Sequence, residues 1–71
     1  MKAYGVEKRK NLELRKVTLY GNSEEMRAVA AFLTDMADRM DRSPNFGHAH
    51  IQDFNQAWRK DRPDFIAYAA A

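Results

Sequence analysis

The sequence predicts a small α+β domain: a two-layer sandwich with one long amphipathic helix on a mainly antiparallel sheet of three or four strands, in the order β-β-α-β-β. Three observations lead there. A capped stretch of helical apolar spacing occupies residues 23–42, segments that alternate apolar and polar residues flank it, and the whole chain has 71 residues. A domain near this size buries only about 60% of the surface that its unfolded chain exposes, so one thin core is expected across 1–71. Apolar residues make up 45% and charged residues 31%, a balance that suits a folded chain.

At the N-terminus "KAYGVE" alternates as a short strand and "KRKN" reads as a polar turn. "LELRKVTLY" follows as a longer strand with a difficulty in it. Leu12 and Leu14 share one parity, Val17 and Leu19 the other, and a regular strand cannot place all four on one face. The options are a bulge near Arg15 and Lys16, or a strand that begins there. The second is preferred, giving a regular strand from Lys16 to Tyr20 and leaving 1–15 as a basic strand-and-turn segment.

"GNSEEM" opens the helix. Asn22 is suited to accept from the free amides of the first turn, and Glu25 reaches back in a box-like cap. Glu24 and Glu25 also complement the positive end of the helix dipole. Met26, Val29, Ala30, Leu33, Met36, Ala37 and Met40 then recur at helical spacing and predict the buried stripe. Three of the four methionines lie on it, which reads as core packing. Pro44 stops the helix, because it lacks an amide hydrogen and drives the residue before it from helical angles. After Gly47, "HAHIQDF" alternates as a strand, "NQAWRKDRP" is a polar connection, and "DFIAYAA" is the last strand.

One helix covers one face of such a sheet. The other must meet solvent, the C-terminal tail or another protein. Tyr4, Tyr20, Phe54, Trp58 and Tyr68 are too many aromatics for the helix side alone, and exposed aromatic clusters mark interaction surfaces. A partner is therefore expected on the second face, with a second copy of the chain among the candidates.

The two histidines sharpen that expectation. On a strand His48, His50 and Gln52 point one way, and Ala49, Ile51 and Asp53 the other. Ile51 is the natural core residue, so both imidazoles fall on the face away from the helix, as neighbours. Three readings follow: a metal site, a general base, or polar strand residues in an interface. A zinc site needs a third protein ligand, and no H-E-x-x-H pattern, cysteine pair or aspartate-rich loop supplies one. No motif places a nucleophile for a base to activate. The interface reading is preferred, with no catalytic residue, cofactor or metal assigned. Trp58, in a loop rich in charge, is either a lid on the sheet edge or an anchor for a partner. The candidate partner-binding residues are His48, His50, Gln52, Trp58 and Tyr68.

Charge is uneven. Residues 1–20 carry a net +4 and the remainder a net −2. That asymmetry supports an alternative, a small homodimeric nucleic-acid-binding protein using Lys8, Arg9, Lys10, Arg15 and Lys16. Lysines on a hairpin also simply discourage edge-to-edge pairing. The chain has no cysteine, which suits a reducing compartment. It also lacks a signal-peptide core and any run of about 20 apolar residues. A cytoplasmic protein with no membrane partner is expected.

The runs "VTLYGNSEEMRAVAAFLTDMAD", "FGHAHIQD" and "PDFIAY" together resemble the Immunity protein 32 family of bacterial polymorphic toxin systems, over about residues 16–70. The resemblance implies an α+β immunity protein, encoded beside a toxin, that neutralises the toxin by binding it, with no reaction and no cofactor. It places His48, His50, Gln52 and Asp53 on a family-like strand, and Pro63 and Asp64 at the entry to the last one. The basic surplus lies outside the matched residues.

Overall fold

The computed structural model describes residues 3–7, 10–58 and 61–70, with side-chain surroundings from residue 13 onward. The chain is a small α+β domain built around one main helix. In order it forms β1 (Ala3–Glu7), β2 (Lys10–Leu14), α1 (Ser23–Arg42), β3 (His48–His50), α2 (Ile51–Phe54) and β4 (Ile66–Tyr68).

The four strands make two separate antiparallel pairs, β1 with β2 and β3 with β4, where a single sheet was expected. The first pair is a hairpin with Ala3 opposite Leu14 and Glu7 opposite Lys10. Lys8 and Arg9, between the two strands in sequence, lie outside the described residues. The expected strand from Lys16 to Tyr20 does not form. The regular strand is instead the stretch that ends at Leu14, and the parity conflict resolves by the chain leaving the ladder at Arg15. Val17 and Leu19 remain 55% and 45% exposed, and Tyr20 is fully exposed.

The helix runs over the expected residues for the expected reason. Asn22 Oδ1 accepts from the Glu25 amide at 2.8 Å, and the Asn22 amide donates to Glu25 Oε1 at 3.1 Å. Gly21 leaves room for that return, since a Cβ there would stand 3.1 Å from the same carboxylate oxygen. Asn22→Ala should remove about 1 kcal/mol of stability, read as a lower urea midpoint at constant slope. At the other end the Ser43 amide donates to the Arg39 carbonyl, just before Pro44.

The buried stripe of α1 is rotated from the one its spacing suggested. Val29, Phe32 and Met36 are buried, with Ala28 and Met40 packed beside them. Leu33 is 53% exposed. Residues 28–33 are apolar without a break, so periodicity alone cannot choose between adjacent phases. Phe32 decides it, with its ring 5.7 Å from that of Phe54.

Phe54 is there because "HAHIQDF" is not one strand. After His50 the chain enters the single helical turn α2, closed by the Asn55 amide on the Ile51 carbonyl at 2.8 Å. Continued extension would put Ile51 and Asp53 on the core side and Phe54 on the outside. A helical turn instead brings Ile51 and Phe54, three apart, to the same side. Asn55 Oδ1 then accepts from the Ala57 amide at 3.0 Å, a side-chain turn that brings Trp58 back to the core. The core is completed by Ile51 and Trp58, with Phe46, Ala49, Phe65 and Ala67 around them. No helix among the described residues is long and apolar enough to cross a membrane.

Candidate partner-binding face

The β3–β4 ladder sets His48 opposite Tyr68, Ala49 opposite Ala67 and His50 opposite Ile66. It is lengthened at both ends by Ala69 donating to the Gly47 carbonyl and Ile51 donating to that of Phe65. Ala49 and Ala67 pack on the core. By alternation His48, His50, Ile66 and Tyr68 share the opposite face. The described residues leave that face open: Tyr68 is 68% and Ile66 46% exposed.

The four side chains are organised. His48 stacks on Tyr68, with ring centroids 4.8 Å apart and planes inclined by 19°. The two imidazoles meet edge to face at 5.5 Å. Asp64, two residues before Ile66, adds a fifth member: its Oδ2 lies 2.7 Å from His50 Nδ1. A carboxylate only accepts, so Nδ1 is the donor and, in the neutral ring, the free lone pair sits on Nε2. The row runs Tyr68, His48, His50, Asp64.

Asp64 is the site residue that sequence reasoning left out of the face: it stands at the entry to the last strand, as expected, but its contact with His50 was not foreseen. It is fourteen positions from His50, and only the strand register brings them together. Two partner-binding candidates leave the face. Gln52 sits half-buried on α2. Trp58 is 5% exposed, in the core, where Nε1 donates to the Pro63 carbonyl at 2.9 Å and the ring meets Phe65 edge to face at 6.0 Å. Arg62 closes over it, 5.1 Å from the ring centroid, with Nε 3.4 Å from Glu25 Oε2. Trp58 is thus a core residue, and its burial leaves it unavailable as an exposed anchor. Of the basic candidates, Lys10 begins β2, while Arg15 and Lys16 are exposed just after it.

A groove of about 260 Å³ lies between residues 18–21 and the first turns of α1, with Val29, Trp58 and Phe65 among its walls. It is just below the roughly 300–1,000 Å³ of ordinary small-molecule sites. Glu25, the acidic residue lining it, is engaged by the helix cap and Arg62. It marks where residues 16–20 run past the core without pairing.

No family model, curated protein or solved structure matches the chain.

Proposed function

We propose that this protein is a non-enzymatic protein-binding module of the immunity type, which neutralises a bacterial toxin by direct contact. The observation that carries the reading is the open outer face of β3–β4, where an ordered row of Tyr68, His48 and His50 stands beside exposed Ile66. Rings already held against one another lose little side-chain freedom on binding, which is what an interface anchor requires. The resemblance of residues 16–70 to immunity proteins supplies the class of partner. A tight complex would bury about 1,600 Å² in total and rely on a few aromatic anchors.

The test is co-purification and growth protection with the product of the adjacent gene. Tyr68→Ala should weaken the complex by about 2 kcal/mol, close to thirtyfold, with the thermal melt unchanged. Failure to bind or protect against any adjacent toxin candidate refutes the reading. Salt-sensitive binding of plain duplex DNA in its place would favour the alternative based on Arg15 and Lys16, with a log–log slope near −0.9 for each phosphate contacted.

A further inference from the structure

We infer that residues 16–20 pair with the same residues of a second copy of this chain, antiparallel about Thr18, to make a symmetric homodimer. The surface does not include the β3–β4 face, so the inference is independent of the proposed function.

The backbone of residues 16–20 makes no hydrogen bond to the other described residues. Val17 and Leu19 are about half exposed, and Tyr20 fully so. An unpaired stretch of β-branched and aromatic residues is a template for strand addition. Leu19 and Tyr20 border the groove together with partly exposed Met26. Half-exposed Leu33 stands one turn beyond Val29 on α1. These five side chains expose on the order of 500 Å² per copy, so two copies would cover about 1,000 Å², the size that a specific interface should clear.

The sequence of the segment is complementary to itself. Antiparallel pairing about Thr18 sets Val17 of each copy opposite Leu19 of the other, Lys16 opposite Tyr20, and the two Thr18 residues opposite each other. These are an apolar pair, a cation over an aromatic ring and a Thr–Thr pair, all favourable across strands. The same register carries Arg15 and Lys16 toward the other copy's Gly21 and Asn22, where α1 begins with exposed Glu24 in its first turn. Two lysines on an unpaired edge ordinarily oppose edge-to-edge pairing, and here an acidic helix start faces the basic residues. A two-fold axis uses the segment once per copy and closes the assembly at two.

The experiment is sedimentation velocity on the intact protein from about 10 µM to about 1 mM, the range in which weak complexes populate. A reversible monomer–dimer exchange is expected. Leu19→Lys should weaken it at least tenfold with the thermal melt unchanged. Lys16→Glu and Glu24→Lys should each weaken it about threefold, the scale of an exposed ion pair, and the double variant should recover the loss. Register is read by oxidation, since the chain has no cysteine. Thr18→Cys should form a covalent dimer, because directly opposed Cα atoms lie about 4.5–5.5 Å apart, within disulfide reach. Lys16→Cys should not, because its two copies would be separated by about 13 Å along the ribbon. A monomer at every concentration overturns the inference and leaves the segment to a different protein. A dimer that Leu19→Lys leaves intact places the contact elsewhere and overturns it too. Equal cross-linking of the two cysteine variants overturns the register. Charge variants that bind like the wild type overturn the role given to Glu24.

Discussion

Phe32→Ala should leave the domain largely unfolded at 37 °C. A chain of 71 residues has a total stability of about 4–11 kcal/mol, at roughly 0.05–0.15 kcal/mol per residue. Phe32 is completely buried and central to the core cluster, and truncating such a ring costs about 3–5 kcal/mol in lost transfer energy and residual cavity. The two ranges overlap, so one substitution consumes most of the margin. Leu33→Ala is the matched control. Its side chain is 53% exposed, and its loss should cost less than about 1 kcal/mol. Urea denaturation of both variants reads the phase of α1 directly. Equal costs would place the helix one residue around from the arrangement described above.

Trp58→Ala should be nearly as damaging, again by about 3–5 kcal/mol. Here the loss has separable parts. The ring fills the space beside Phe65, Nε1 satisfies the Pro63 carbonyl, and Arg62 covers the outer surface. Trp58→Phe keeps much of the apolar body but removes the hydrogen bond and part of the volume, so about 1–3 kcal/mol is expected. Circular dichroism must follow both variants, because Trp58 is the only tryptophan. In the wild type its fluorescence should be blue-shifted and should redden in a single step on unfolding. A red, solvent-like emission from the folded protein would restore Trp58 as a surface anchor and undo its assignment to the core.

The parts that were legible in the sequence are those with local causes. Asn22 and Glu25 make their cap within one turn, and Pro44 ends the helix within one residue, so α1 could be bounded without tertiary knowledge. The outward facing of the histidines was also readable, because strand alternation ties their direction to that of Ala49 and to buried Ile51. The single helical turn at 51–54 was not, since four residues carry too little periodicity to oppose the alternation before them. What decides it is Phe32 waiting on α1 for Phe54.

Residues 16–20 fail for a related reason. "VTLY" has strong strand propensity, but a strand exists only where a neighbour offers its free edge, and no local signal says which stretch wins one. In this structure β2 ends at Leu14 and the next segment goes unpaired.

The sequence by itself determined the composition class, the extent and cap of α1, the short strands within residues 2–7, 48–50 and 64–70, and the face on which His48 and His50 emerge. Each of these rests on interactions between residues a few positions apart. The tertiary structure alone decided which stripe of α1 is buried, that the strands form two pairs, that Trp58 belongs to the core and that Asp64 stands behind His50. Each of those depends on a contact between groups distant in the chain, and such a contact exists only after the backbone between them has been placed.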